Sequence, residues 1–573
     1  MKNLKCKLCL LCLFVFAPFF SFAQTNLSVP LTDNVYQLLE YASLRGYISI
    51  LPAEKPYTNN YVVNQLKAIL SCENLKDGEA EVYEQALERL RPSEKPEWYI
   101  SGSYTNRYDD VKLPVEAGGK WESKFSTNFN DPHISTEQWL GFYFLGDISN
   151  YVSYKIDANG CLMKLSNSSH APYFFDKSWD GFQFIFSDFY EYVPVSEALS
   201  AGVKLEPELV FSAFEDKVQA KFSRTRHDYG YGSSSLILSQ DAQPFLAIET
   251  RVNPVKWFET SFIAGTLEYV SEGNLKDSAN AFQNLFSMIT GQFNFSEYAY
   301  FGAVSSGVWI KRLELGYLYP LLLPFLYQNQ IGDFDNVQMG VYGGARIPGI
   351  THIYFQFYID EMNVLVKEFA HKDRNMYAFQ VGAKTPIPVW LSTLTTQYTK
   401  IEPYMYTHPL TENPWYDHAM KTAYLNHGEC IGYYLPPNSD EFLIKYEATP
   451  LWYLKSVLSY SLVRHGTTLG SGSVDGSSYS DALDYTQNLN SVSAGDLYWK
   501  DFLHDGVYEW IHSVTLGATL DCRKWNVPIA VYCAYTFSYT QHSYGDTTSF
   551  YFINNSEYYD EVGNYLTLSV KIY

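Results

Sequence analysis

After its first 23 residues, the 573-residue chain has no apolar run that approaches the ~20 residues a helical membrane span needs. Its mean hydropathy of −0.19 likewise excludes a bundle of transmembrane helices. Charge is scarce: 18% of residues are charged, against about 25% in an average soluble domain. Basic residues are the scarcer kind, with 41 Lys and Arg against 62 Asp and Glu and a formal charge of −21. Such an acidic excess argues against a protein that tracks nucleic-acid phosphates. Cysteine is sparse too. Cys6, Cys9 and Cys12 fall in the first 23 residues, and Cys72, Cys161, Cys430, Cys522 and Cys533 are too widely spaced for a disulfide framework or a metal cluster. At most one bridge, Cys522 to Cys533 across a hairpin, is open to them, and otherwise they read as packing residues. The 12 histidines show no metal-ligand spacing, so no metal and no cofactor is expected.

What the chain has is aromatic side chains: 50 Tyr, 37 Phe and 12 Trp, together 17%. Aromatic, poor in charge and still polar on average is the composition of a transmembrane β-barrel, because apolar and polar residues alternate along every strand. The amino terminus fits export. Lys2, Lys5 and Lys7 precede the apolar stretch Leu8–Phe20, and Ser21-Phe22-Ala23 is a small-x-small cleavage site. Residues 1–23 are therefore expected to be a cleaved signal peptide.

Residues 24–96 read as a small helical bundle. Thr32 can cap a helix carrying Val35, Leu38, Leu39 and Ala42 on one face, with Gly46 to stop it. Thr58 can cap a second with Val62, Leu66, Ile69 and Leu70, and Glu79–Arg91 makes a third. From residue 97 to 573 the period changes from 3.6 to 2. Val152, Tyr154 and Ile156 alternate with Ser153, Lys155 and Asp157; Val218, Ala220 and Phe222 alternate with Gln219, Lys221 and Ser223. Ile529, Val531, Cys533, Tyr535, Phe537 and Tyr539 make a third apolar face. In the last strand Leu566, Leu568, Val570 and Ile572 point one way, expected to be toward lipid, and Tyr565, Thr567, Ser569 and Lys571 the other. The terminal aromatic Tyr573 is the kind of end that the outer-membrane assembly machinery takes as a partner. Tight connections, 215–217 and 253–256, are expected to alternate with long ones near 158–200, 270–300, 404–430 and 466–503, the asymmetry of an outer-membrane barrel. Allowing about 26 residues per strand with its loop gives roughly 16–18 strands, within the known range. The expected fold is mainly β: a transmembrane antiparallel outer-membrane barrel preceded by the helical domain.

The run Arg226-His-Asp-Tyr-Gly-Tyr-Gly-Ser-Ser-Ser-Leu-Ile-Leu-Ser-Gln-Asp-Ala-Gln-Pro-Phe245 resembles the Wzi-like capsule-assembly family, in which a glycine-rich turn enters a Ser-Leu-Ile-Leu-Ser strand and then Asn-Ala-x-Pro. Gly230, Gly232, Ser235, Ser239, Ala242 and Pro244 fit; Tyr231 and Asp241 stand where the family usually has Pro and Asn. Further similar runs follow in family order: 329–336 with Asp333, Asp335 and Asn336; 357–361 with Asp360; 398–404 with Pro403 and Tyr404; 432–440 ending at Asp440; and Arg464-His465-Gly466. The resemblance covers about 225–466 by motif. It implies an outer-membrane barrel with a periplasmic helical domain, acting as a lectin-like protein that attaches capsular polysaccharide to the cell surface. Separately, Thr58 before Asn-Asn-Tyr resembles the cell-wall-binding repeats ahead of some porins.

A surface lectin needs flat aromatic faces for sugar C–H surfaces and Asp, Asn or Gln for hydroxyls. Long loops offer Trp179 with Asp180, Trp415-Tyr416-Asp417, and Tyr479 within the Ser/Gly/Asp-rich run 467–487. Interfacial girdle or loop packing is the competing reading of each. Asp333 with Asp335, and Asp360 beside Glu361, have the composition of an acid/base pair or a Ca²⁺ site, and equally of wall or turn carboxylates. No nucleophile constellation is present and no enzyme is expected. Two functions remain: attachment of surface polysaccharide through the long loops, or a porin-like diffusion channel. Both place the protein in the outer membrane, with its lipid as partner.

Overall fold

A strand that is apolar on one face and polar on the other can close a barrel in two senses, and here the apolar faces point outward. The computed structural model describes residues 26–90, 100–105, 112–149, 151–164, 166–173, 193–196, 199–214, 216–268, 283–310, 312–332, 335–361, 375–408, 411–412, 419–420, 422–426, 429–466, 476–479, 502–503, 508–544 and 557–572. Residues 1–23 and Tyr573 lie outside them. The closed antiparallel barrel runs β1 (Lys112–Asn128), β2 (Ile134–Ser149), β3 (Val152–Lys164), β4 (Leu199–Ala213), β5 (Val218–Thr225), β6 (Phe245–Val255), β7 (Phe258–Glu268), β8 (Gln283–Asn294), β9 (Ala299–Ile310), β10 (Asn336–Ile347), β11 (Thr351–Glu361), β12 (Met376–Ile387), β13 (Ser392–Ile401), β14 (Ser439–Leu451), β15 (Leu454–Gly466), β16 (Tyr508–Asp521), β17 (Ile529–Tyr544) and β18 (Glu557–Ile572). The eighteen strands pair as sequential neighbours, and β18 closes on β1 with Leu568 opposite Phe125. A short strand, Ile100–Thr105, pairs with the start of β1.

The faces are as the alternation predicts. Ser153 and Asp157 are buried in the lumen while Ile156 is exposed on the outer wall; Lys221 and Ser223 are buried while Phe222 is exposed. In β18 Tyr565, Thr567 and Ser569 are buried and Leu568 is exposed. An outward apolar band with a polar interior is the inverse of a soluble β-sandwich, and it is the solution that lipid enforces.

Connections separate the two rims. On one rim β2–β3, β6–β7 and β14–β15 are joined by tight turns, and exposed Phe214, Trp257, Phe295, Trp390 and Trp525 ring the junctions. This is an aromatic girdle at the short-turn rim, which is periplasmic in such barrels. Two expected connections shift. The turn placed at 253–256 falls on Lys256-Trp257, because β6 runs through Asn253 and Pro254 with a register break between Val252 and Val255; a bulge is where a strand tolerates proline. The long loop expected at 270–300 is shorter, since β8 and β9 occupy 283–310 and pair across a turn at 295–298. Among the described residues the five cysteines are free. Cys533 pairs with Ala518 in the β16–β17 ladder, so the register keeps it apart from Cys522.

Helices α1 (Val35–Arg45), α2 (Asn59–Leu70) and α3 (Asp77–Leu90) pack together through Leu38, Tyr41, Val62, Leu66, Ile69 and Tyr83. Gly46 ends α1 at φ 82°, and Thr58 caps α2 by accepting from the Tyr61 N–H. Thr32 caps nothing; α1 starts later and the Asp33 carboxylate accepts from the Val35 N–H at 2.8 Å. The bundle sits on the short-turn rim. Arg346 donates to the Ser43 and Ile48 carbonyls, both at 2.6 Å, and Leu391 and Trp452 join its core.

Because Leu568 faces lipid and Ser569 the lumen, Leu568→Arg should cost roughly 2–4 kcal/mol near the bilayer midplane and Ser569→Arg much less. Urea unfolding followed by heat-modifiable migration reads both; equal losses would mean the faces are misassigned.

Candidate functional site

The family-like run does not form an outer strand. Residues 226–244 connect β5 to β6 on the long-loop side and fold back into the lumen, where Leu236, Ile237 and Leu238 are buried. They meet Phe286, Met288, Val304 and Val308 from the wall, and Tyr406, Tyr424, Ile431 and Leu435 from the β13–β14 connection. Burial of such side chains contributes roughly 1.5–3 kcal/mol each. This dry core fills the side of the barrel walled by β6 to β13.

A loop buried in a lumen must pair its backbone with something other than a sheet. Three inward glutamines on three adjacent strands do this. Gln397 of β13 accepts from the Ser233 N–H at 2.9 Å, Gln380 of β12 donates to the Ser234 carbonyl at 2.9 Å, and Gln356 of β11 accepts from the Leu236 N–H at 3.0 Å. Tyr406 and Tyr424 donate to the Leu236 and Ile237 carbonyls at 2.8 and 2.7 Å. The Ser239 N–H bonds the Ile431 carbonyl, and the Tyr229 N–H the Leu238 carbonyl. Gly230, at φ 142°, has no room for a Cβ, which would strike the Gln356 amide.

The amino-terminal region enters the same knot. Glu54-Lys55 pairs antiparallel with Asp228-Tyr229, the Gly230 N–H bonds the Ala53 carbonyl, and Lys55 bonds Asp228 at 2.7 Å. Glu54 lies 3.8 Å from Arg251, and Tyr229 donates to it at 3.4 Å. Burial pushes the Glu54 carboxyl up to about 7, opposed by Arg251 and reinforced by Glu249. Burial also lowers His227 to about 4, so it stays neutral at ordinary pH.

The side of the lumen walled by β14–β18 and β1–β4 is open instead. A cavity of about 930 Å³ runs from Asp33 and Arg89 of the helical domain to Tyr173 and Arg226. Two kinds of wall line it. On β15–β17 Ser459, Ser461, Ser513, Thr515 and Thr536 present short hydroxyl side chains, and on β1, β3 and β4 Lys120, Lys155 and Lys204 stand among carboxylates. Lys120 and Lys155 share Asp157 at 2.7 and 3.5 Å, and Lys204 bonds Glu206 at 2.9 Å. Short hydroxyls leave the space, and paired charges line it with hydrogen-bonding groups suited to water or to a hydroxylated solute.

Most of the motif residues are brought together in the plug. Ser235 and Ser239 bond within the run, and Ala242 and Pro244 are buried where it rejoins the wall. Asp360 accepts from the Tyr406 N–H at 2.9 Å, and buried Pro403 leads to Tyr404, which bonds the Gly476 carbonyl. Asn336 donates to the Thr422 carbonyl; His465 bonds Ser439 at 2.9 Å, and the Gly466 N–H bonds the Asn438 carbonyl. Gly232 packs against Gln380. Two carboxylates stand apart from the lumen: Asp335 lies in the β9–β10 connection, bound by Arg312, and Asp440 faces outward, held by Arg464 and Tyr398. Among the described residues no three of His, Cys, Asp and Glu are grouped to hold a metal.

Of the sugar-binding candidates, Trp179, Asp180, Trp415, Tyr416 and Asp417 lie outside the described residues, as does Asp333. Tyr479 is not an exposed loop aromatic. It packs on the plug core and donates to the Leu435 carbonyl at 3.0 Å, and Ser477 beside it is buried against Asn438. That part of the run 467–487 is pinned rather than adaptable. Sequence reasoning missed the glutamine clamp, whose signal is a lone Gln at an inward position in Phe355-Gln356-Phe357, Phe379-Gln380-Val381 and Thr396-Gln397-Tyr398.

No family model and no curated protein matches the sequence. Among solved structures, the chain is similar to Wzi, an outer-membrane protein of Escherichia coli involved in group 1 capsule assembly and described as a carbohydrate-binding β-barrel, at TM-score 0.54 and 12% identity over 95% of this chain and 99% of that one. Two Pseudomonas aeruginosa structures also align over 80% of this chain: OprD, at TM-score 0.38 and 10% identity over 94% of its own length, and OccK1, at 0.39 and 11% over 98%. The first likeness shows the fold, that of an outer-membrane β-barrel.

Two outcomes follow from the knot. Gln356→Leu strands the Leu236 N–H and should cost about 1–3 kcal/mol, read as a lower urea midpoint for the folded form; an unchanged midpoint would mean that the clamp does not hold the plug. A carboxyl raised from 4.5 to about 7 contributes fully below about pH 4.5, and its contribution is lost as pH rises toward 7. Glu54→Gln should therefore match the parent protein near pH 4 and unfold at higher urea near pH 8.

Proposed function

We propose that this outer-membrane barrel holds a surface polysaccharide of the capsular kind at the cell exterior and performs no chemistry of its own. The observation that carries the reading is the plug. Runs that resemble the Wzi-like family and lie far apart in sequence meet in one lumenal knot, with Ser235, Asn336, Asp360, Tyr404 and His465 each bonded to it or to its supports. A barrel filled on one side by a bonded core is suited to presenting loops from a rigid frame. The likeness in fold to a barrel described as carbohydrate-binding supports the same reading. Trp179 with Asp180 and Trp415 with Asp417 supply the aromatic faces and hydroxyl acceptors that sugars need.

The 930 Å³ lumenal cavity favours a second reading, a diffusion path for small hydrophilic solutes. The two readings differ in where the solute goes. In cells that make the polysaccharide, Trp179→Ala combined with Trp415→Ala should raise the shed fraction and lower the surface-bound fraction while synthesis continues, with folding checked by heat-modifiable migration. Unchanged attachment together with steady conductance of the purified protein in planar bilayers would sink the attachment reading and favour the channel.

A further inference from the structure

The outer wall is exposed and apolar along most strands, but not across β8 and β9. On β8 and β9 the outward positions are Ser287, Ser305, Gly307 and Trp309; the flanking outward residue of β10 is Val337. All five are buried although they face away from the lumen. The cover is the β9–β10 connection. Residues 312–332 leave the long-loop rim, turn down over the outside of the wall and carry α4 (Pro324–Ile331). Tyr317 stacks on Trp309 at 4.6 Å between ring centroids, Tyr327 meets Tyr317 edge-on at 5.0 Å, and the Phe325 N–H bonds the Ser305 hydroxyl. Ser305 lies five residues inside the Ile310 end of β9, roughly 12 Å below the rim at ~3.3 Å per residue and a ~45° tilt.

The far side of this hairpin is dominated by leucine, with Tyr319, Asn329 and Gln330 exposed among the described residues. Leu313 and Leu321 are 77% exposed, Leu315 is 71% exposed, and Leu318, Leu323 and Leu326 are exposed beside them. Its described charges are bonded to one another and to tyrosines. Arg312 bonds Asp335 at 2.9 Å and Glu314 at 3.0 Å, Tyr317 donates to Asp335 at 2.9 Å, and Tyr327 donates to Glu314 at 2.8 Å. A surface loop in water has no need to bond each of its described charged groups while exposing six leucines. A segment in hydrocarbon needs both, because an unpaired charge there is costly and leucine is at home. The exposed face is continuous with the lipid-facing wall on either side.

We infer that residues 312–332 form an interfacial hairpin immersed in the outer leaflet, with the leucine face against lipid acyl chains and the polar knot against the barrel. Its partner is the lipid surface itself, taken up in the manner of an in-plane amphipathic element. This goes beyond the polysaccharide reading and does not depend on it.

The test places the photoreactive residue p-benzoylphenylalanine at Leu321 of the full chain, reconstituted in phosphatidylcholine vesicles. Leu568 on the outer wall serves as the lipid-facing reference and Asn130 in an exposed loop as the aqueous one. Irradiation should give a phospholipid adduct at Leu321 in yield comparable with Leu568 and well above Asn130. A yield at the Asn130 level would overturn the inference, and so would a covalent dimer band, which would assign the leucine face to a second copy. In a second measurement Leu315→Glu combined with Leu321→Glu should lower the melting midpoint in vesicles, whereas Asn130→Glu should not. An equal midpoint for the leucine variant and the parent counts against immersion even if one labelled variant fails to fold.

Discussion

The structure depends on how the backbone of a buried loop is satisfied where no sheet is available to it. Residues 233–239 lie inside a barrel whose wall strands have already spent their own N–H and C=O groups on each other. Any other chain entering that space must pair with side chains or with other lumenal backbone, as Ser239 does with Ile431, or leave polar groups stranded at about 1–3 kcal/mol apiece. Gln356, Gln380 and Gln397 answer this requirement, each offering donor and acceptor at the end of a side chain long enough to reach the plug. Tyr406 and Tyr424 complete the set from the far side. Once the backbone is paired, Leu236, Ile237 and Leu238 can form an apolar core in what is otherwise a polar lumen.

That knot divides the barrel. On one side it makes a dry interior to which the helical domain is tied through Ala53, Glu54 and Lys55, so the amino-terminal region is a component of the plug as well as a cover for the short-turn rim. On the other side the apolar packing is smaller, as where Leu27 meets Leu145 and Val210, and short hydroxyls and lysine–carboxylate pairs line the cavity. The same polar pattern thus serves as wall lining on one side and as attachment points for a folded core on the other. Outside, the β9–β10 hairpin repeats the principle in reverse, hiding its charges against the wall and turning leucine outward.

Much of the architecture was legible in the residues. Period-2 alternation in β3, β5, β17 and β18 names the inward and outward faces, because successive side chains on a strand must point to opposite sides. Gly46 and Thr58 mark helix boundaries through conformation and hydrogen bonding alone. The run Arg226–Phe245, which stands out in the sequence by its glycines and serines, is the segment that enters the lumen. Other features were hidden. Tyr479 looks like a loop aromatic and is a plug residue, and the sequence leaves Asp335 open as a wall or turn carboxylate, whereas the structure binds it to Arg312 in the β9–β10 connection.

By itself the sequence determined that the chain is a polar-inside, apolar-outside barrel of roughly 16–18 strands, since composition and alternation are local properties and lipid permits no open sheet. Tertiary structure alone decided that the loop after β5 turns into the lumen while the loop after β9 turns out over the wall. Both loops are aromatic and apolar, and nothing in either states its direction. Direction came from what each meets: three glutamines on β11–β13 to pair a backbone inside, and small outward residues at Ser287, Ser305 and Gly307 to receive a hairpin outside. Those partners lie on other strands, and only closure of the barrel brings them together.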